Sequence, residues 1–464
     1  MIAYIVISLM IAGVTACAGE RLLRPAAALF YAVQALFAVR VATRLGGAVS
    51  AAFFTFDPTG TLFFALMAAV APFAFVNSTE YLRRDSLRER RIYHVLMILL
   101  CTAIAGVYFA NNIAVTWIFL EATTLCAAGL IYHRRTDKNL EATWKYIFVC
   151  STGVATAYLG ILLLCSAAGG SDISYQALAQ RIASANPLYL KIAFVLILAG
   201  YSCKMEIFPL YPIGVDANYS APAPAASLIS TVLVNAGFVA IFRVYRLMAG
   251  SEVFPWVQHV MIVAGLISLL IGALFLRQTN HYKRFFAYST VENMGIAALG
   301  LGVGGAGIWA AVFHAAAHTL IKSSMFQQLT RVGRIYGNYR INKLGDYINI
   351  NRTGAVALLA GTVLLLAFPP SPLFLSEVLI LKQIIAAGRW WLAGVILLLL
   401  CIVIYNLCNR MLKLCYQENH VKDVQPVRGD AYTWAAFALL AMAMVLGVWQ
   451  PAALIDIIDK IAAF

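Results

Sequence analysis

Residues 188–216 read LYLKIAFVLILAGYSCKMEIFPLYPIGVD. The stretch begins as an apolar run of the length that crosses a bilayer, about 20 residues, and it is interrupted by Pro209 and Pro212 shortly after Lys204. Proline inside a helix removes a backbone donor and clashes with the preceding turn. At membrane depth the freed backbone must be buried in protein or line a cavity. A second stretch, 354–386, has the same form: Pro369, Pro370 and Pro372 interrupt it, and Glu377 and Lys382 follow. Two interrupted apolar segments, each with its own ionisable group, are the sequence sign of inverted repeats.

The rest of the chain agrees with a membrane setting. Of its 464 residues 62% are hydrophobic and 12% charged, about half the charge of a soluble domain. Cytosolic enzymes, nucleic-acid readers and secreted disulfide scaffolds are excluded. Cutting at charged and Gly/Pro-rich breaks predicts an all-α, polytopic chain of about fourteen spans, near 2–18, 25–42, 59–78, 92–110, 112–132, 144–167, 188–210, 223–248, 256–276, 286–304, 306–330, 354–386, 390–415 and 432–455. The seventh and twelfth are the interrupted ones. Residues 1–80 then form an amino-terminal group, 81–248 and 249–420 two similar halves, and 421–464 a last helix. Met1 to Ala18 lacks the basic start of a cleaved signal and reads as a retained first helix.

The net charge of +14 reflects basic loops. Of the 34 Lys and Arg, 23 lie in loops following odd-numbered segments, at 21–24, 83–91, 134–145, 277–284, 331–352 and 410–428. The positive-inside rule places those loops in the cytoplasm and both termini outside. Arg243 and Arg246 fall on the wrong side of that count.

A charged group at a helix centre costs roughly 2.5–3.5 kcal/mol on insertion scales, so each one needs a reason. Glu121 lies in VTWIFLEATTLCAAGL, Lys204 before the first break, Lys322 in HTLIKSSMF, and Glu377 and Lys382 after the second break. A lysine beside unwound backbone is desolvated enough to titrate, and an approaching carboxylate reverses the effect, so Glu121 and Lys204 read as a switchable pair. Glu206 either modulates Lys204 or snorkels to the interface. His314, His318 and Lys322 recur every four residues and share one helix face. They suit a hydrated proton relay better than a metal site, which would need further ligands. Ser230, Asn235, Ser289 and Asn293 can hold water along that line or simply join helices. Arg134, Arg135, Lys283 and Arg284 read as loop charges.

No redox centre is expected. The nine cysteines contain no C-x-x-C pair, and Cys401, Cys408 and Cys415 recur every seven residues as small packing groups. There is no Walker motif and no dinucleotide fingerprint. The expectation is a chain without cofactor or metal.

Several motifs resemble those of one family: the antiporter-like proton-translocating subunits of respiratory complex I, multi-subunit sodium/proton antiporters and group 4 membrane-bound hydrogenases. WIFLEATTL resembles its segment-five glutamate motif, at Glu121. Lys204, Pro209, Asp216 and APAPAAS at 221–227 resemble its broken-helix lysine motif. HYKRFFAYSTVENMG at 281–295 is similar to its K-R-L-L-A-Y-S-S signature, and VENMG looks most like the hydrogenase-4 component F branch. FHAAAHTLIKSSMF and PPSPLFLSEVLIL resemble the segment-eleven and segment-twelve motifs. Departures are specific: Pro209-Leu210-Tyr211-Pro212 stands where the family has P-F-H-x-W-L-P, and Ser230 stands where complex I relatives carry Lys or His. The chain ends after segment fourteen, without the long lateral helix of the distal complex I subunit.

The resemblance implies a proton-translocating subunit of a redox-driven complex in a prokaryotic inner (plasma) membrane. Its path would run from Glu121 and Lys204 through His318, His314 and Lys322 to Glu377 and Lys382. Its partners would be other membrane subunits and a peripheral iron-sulfur, nickel–iron hydrogenase-like module. A sodium/proton antiporter subunit and a non-conducting scaffold subunit are the alternatives.

Overall fold

The computed structural model describes residues 1–43, 53–421, 424–427 and 431–464. Lys422 and Arg428 of the basic stretch 410–428 lie outside the described residues. Helices α1 (Ile2–Cys17), α2 (Glu20–Ala42), α3 (Pro58–Tyr81), α4 (Leu87–Phe109), α5 (Ile113–Ile131) and α6 (Asp137–Ala168) come first. A short α7 (Tyr175–Arg181) leads into α8 (Pro187–Met205), α9 (Pro212–Ser220) and α10 (Ala223–Leu228). A π-helical turn at Ile229–Leu233 joins α10 to α11 (Val234–Met248). Then follow α12 (Phe254–Gln278), α13 (Tyr282–Val303), α14 (Ala306–Tyr336), the short α15 (Tyr347–Ile350) and α16 (Arg352–Leu365). The last four are α17 (Pro372–Ala386), α18 (Trp390–Tyr416), α19 (Ala431–Val448) and α20 (Ala452–Ala462).

Many helix starts are written locally. The Asp57 carboxylate accepts from Gly60 N at 2.9 Å, with Pro58 next to it at the first helical position, where its missing N–H costs nothing. Ser86 and Glu89 form a capping box on α4. Asn112, Thr136, Asn186 and Ser371 cap α5, α6, α8 and α17.

Among the described residues nine helices are long and apolar enough to cross a membrane, or ten with α19 and α20 taken as one span bent by 74°. That is fewer than the segments read from sequence, for two reasons. α1, α16 and α17 run only 16, 14 and 15 residues. α13 and α14 are long enough, but Lys283, Arg284 and Glu292 in one, and His314, His318 and Lys322 in the other, lower their apolarity. The helices outside that count are thus largely those carrying the ionisable groups.

The centre is occupied by α10, the π turn and α11, a 26-residue run buried at every position but Arg246. α14 packs beside it and touches α3, α13, α16, α17 and α19. α1 and α2 lie at the margin and leave Ile2, Leu9, Met10 and Leu36 exposed, the apolar outer face that lipid requires.

The two arginines that disturb the loop count have different fates. Arg243 is buried: its guanidinium meets Asp57 at 3.1 Å and donates to the carbonyls of Val107 and Tyr108. It is a structural tie among α3, α4 and α11, not a loop cation. Arg246 is exposed and lies over the Phe464 ring, 5.5 Å from its centre.

Candidate functional site

The Glu121 carboxylate, on α5, is half-buried and accepts from Ser151 Oγ at 2.6 Å. Lys204, in the last turn of α8, is 2% exposed, and its amine donates to Thr124 Oγ1 at 2.8 Å and to the Tyr146 hydroxyl at 3.3 Å. Thr124 in turn lies 3.4 Å from Glu121 Oε2. The two charged groups are therefore joined through one hydroxyl and not in direct contact. A hydroxyl both donates and accepts, so it links the amine to the carboxylate while leaving the separation adjustable.

α8 stops at Met205 because the next residue, Glu206, adopts the left-handed conformation at φ 56°, a conformation that costs a non-glycine residue of order 1–3 kcal/mol. The turn sends the Glu206 side chain back into the protein, where it is 1% exposed. Oε1 accepts from Asn218 at 2.8 Å, and Oε2 has no partner. Gly214 makes the room: a Cβ there would collide with Glu206 Cγ. Glu206 does not snorkel.

The α14 stripe is wholly buried. Lys322 donates to Ser289 Oγ at 2.5 Å and to the Phe286 carbonyl, with the Phe286 and Phe326 rings flanking the amine. Among the described residues it has no ion pair, although it lies in the field of Glu292 and Glu206. Burying an ammonium this way costs several kcal/mol against a paired one. His318 has no partner at either ring nitrogen. His314 Nδ1 is 2.9 Å from Ser376 Oγ, whose own proton is directed to the Leu373 carbonyl at 2.8 Å. Nδ1 is then the donor, and the unpartnered Nε2 is free to accept.

Ser376 places α14 against α17 one residue before Glu377, which is half-buried. Lys382 lies on the exposed side of the same helix. Glu292 on α13 is buried, bonded to Asn293 at 2.5 Å and in the field of both Glu377 and Lys322. Gly272 on α12 clears its space, since a Cβ there would lie 2.5 Å from Glu292 Cβ. The polar helpers also have defined places. Ser230 pairs with Thr290 at 2.7 Å, and Asn235 donates to Thr319 at 2.6 Å.

Two of the residues read as loop charges differ. Arg134 is paired with Asp85 at 2.7 Å. Lys283 is buried, and its amine donates to the Tyr219 carbonyl at 2.7 Å and to that of Ala221. There it neutralises the partial negative charge at the end of α9. Nearby His281 is half-buried against Tyr219 and Tyr339, and the loss of solvent pushes its imidazole down to about 3, so it stays neutral. Among the described residues no three His, Cys, Asp or Glu side chains are grouped to hold a metal ion.

All these groups but Asp85 fall within residues 110–404, which match the family described as NADH:quinone oxidoreductase/Mrp antiporter, transmembrane. The chain belongs to that family. It is an antiporter-like integral membrane subunit of the kind found in complex I-related and hydrogenase-like assemblies. Within the family it is similar to a hydrogenase-4 component F homolog of Methylacidiphilum infernorum, 28% identical over 79% of this chain and 78% of that one. It also resembles NADH-quinone oxidoreductase subunit N of Desulforudis audaxviator, 24% identical over 73% and 68%. Among solved structures it shares its fold with a chain of the archaeal membrane-bound sulfane sulfur reductase, at TM-score 0.88, 22% identity and coverage of 99% and 96%. A chain of the Mrp complex from Dietzia sp. DQ12-45-1b superposes at TM-score 0.87, with 18% identity over 99% and 96%.

Sequence reading leaves Glu206 open between modulating Lys204 and snorkelling, and it passes over Glu292. Glu292 carries a usable signal, a carboxylate inside an apolar run. Glu206 carries little, because its inward direction depends on the left-handed turn and on Gly214.

Proposed function

We propose that the chain moves protons across a prokaryotic inner membrane as one subunit of a redox-driven complex. The observation that carries this reading is the set of buried ionisable groups left, among the described residues, without ion pairs: Lys204, Glu206, Lys322 and Glu292, with two unpartnered histidine nitrogens on His318 between them. Groups so placed are costly unless they exchange protons. The path runs from Glu121 through Thr124 to Lys204, across Glu206 to Lys322, along His318 and His314, and out through Glu377 with Lys382 at the surface. Glu206 supplies the titratable group at the break that the family's absent histidine would otherwise provide. Glu292 holds Lys322 and Glu377 in one field.

The same reading takes about fourteen spans, in two inverted halves, 81–248 and 249–420, flanked by 1–80 and 421–464. α8 with α9, and α16 with α17, are its interrupted spans. Removing Arg243 from the loop count supports basic loops in the cytoplasm and both termini outside. Labelling a lone cysteine at Ser86 with an impermeant reagent is expected only in inverted vesicles; labelling in intact cells would reverse the orientation.

The chain has no cofactor of its own in this reading, so a neighbour must bias its charges. Similarity to a hydrogenase-4 component F homolog and the VENMG stretch favour a nickel–iron hydrogenase-like or related module with iron-sulfur proteins. Affinity purification from native membranes should recover such a module. Recovery with a flavin-containing NADH dehydrogenase, or of an active sodium exchanger without redox subunits, would refute that partner.

A further inference from the structure

Helices α6 and α8 meet at two glycines. A Cβ on Gly200 would collide with the Gly153 carbonyl oxygen, and one on Gly153 would lie 3.0 Å from that of Gly200. Seven residues further along α6, Gly160 faces the Ala193 carbonyl, seven residues back along α8, at 2.8 Å. The helices are therefore antiparallel and in a defined register. Moving three residues the other way on each brings Cys150 opposite Cys203. Cys203 Sγ is 3.4 Å from where a Gly153 Cβ would stand, and its thiol donates to the Gly200 carbonyl at 3.1 Å, so it lies at the contact with α6, three residues along that helix from Cys150. A disulfide needs Cα atoms about 4.4–6.8 Å apart, and helix backbones come that close only where small residues form the contact.

We propose that Cys150 and Cys203 form a reversible disulfide when the protein meets a peroxide, and that the bond blocks ion movement. The two thiols give up two electrons and two protons, the peroxide O–O bond breaks, the S–S bond forms, and two waters leave. Hydrogen peroxide is neutral and little larger than water, which suits a pair buried at a helix contact. Small, apolar packing does not require two thiols to face each other, whereas this register does so beside the first charged cluster.

The consequence for transport follows from the neighbours. Cys150 lies one helical turn after Tyr146, whose hydroxyl accepts from Lys204, and is followed by Ser151, which donates to Glu121. Cys203 precedes Lys204. A bond between the two cysteines pins α6 to α8 and fixes the separation of Glu121 and Lys204. This second half of the proposal rests on the proton-path reading; the bond itself does not.

The test uses the intact complex in proteoliposomes, treated with hydrogen peroxide, quenched, denatured and alkylated before peptide mass spectrometry. The expected product is a linked peptide pair containing Cys150 and Cys203, lighter by two hydrogens and released by a phosphine reductant. Proton transport should fall to background and return with the reductant, and C203S should resist the inhibition. If C203S does not assemble, C150S serves the same purpose. Recovery of both cysteines fully alkylated after peroxide overturns the site. A linked pair with undiminished transport overturns the block and counts against the Glu121–Lys204 path while leaving the disulfide site standing.

Discussion

Lys204→Ala is expected to bring proton transport to background in proteoliposomes carrying a pH-sensitive dye, with the complex still assembled. The lysine amine donates to Thr124 and reaches Glu121 through it, so its removal leaves the carboxylate with no partner to exchange with. Glu121→Gln should give the same loss from the other side, since the amide oxygen can keep the Ser151 hydrogen bond but the side chain cannot change charge. The structural cost is small by comparison. Thr124 and Tyr146 lose one hydrogen bond each, worth about 1 kcal/mol apiece. Wild-type transport in either variant would remove the pair from the mechanism. The same assay should rank Glu377→Ala below Lys382→Ala, because Glu377, unlike Lys382, adjoins the Ser376–His314 contact; the reverse ranking would overturn the proposed way out.

Glu206→Gln should be nearly as severe, and it separates structure from conduction. Glutamine has the shape to keep the Asn218 contact and the space beside Gly214, so the left-handed turn survives while the titratable group is lost. Steady-state transport should fall by at least about tenfold, a barrier change of roughly 1.4 kcal/mol, with thermal stability unchanged or raised. A buried carboxylate with an unpartnered oxygen costs stability, so a neutral amide there is no worse for the fold. Normal transport by the Glu206→Gln variant would restrict Glu206 to ending the helix.

Much of this is legible in the sequence, and the failures have physical causes. Glu121, Lys204, His314, His318 and Lys322 stand out because charge inside apolar runs is expensive wherever it occurs. Glu377 and Lys382 look alike by that test, yet five residues on an α-helix is a rotation of about 140° beyond a full turn. The structure accordingly turns Lys382 to the exposed side and Glu377 inward. Lys283 looks like a loop cation, since nothing in HYKRFF shows that the end of α9 sits above it. Glu206 is undecidable from sequence because burial there depends on a contact with Gly214, eight positions away.

The π turn at Ile229–Leu233 bears on how this chain is compared with others. Such a turn is an α-helix holding one residue more than its ladder needs, and each residue rotates a helix by about 100°. Everything after Leu233, including Asn235 facing Thr319 and Arg243 facing Asp57, owes its direction to that extra residue. Counting along the chain from Ser230 and counting back from Arg243 therefore disagree by one position. A relative lacking the insertion would show a different column of side chains to the centre with the same composition, and its aligned lysine or histidine would occupy a different point in space from Ser230.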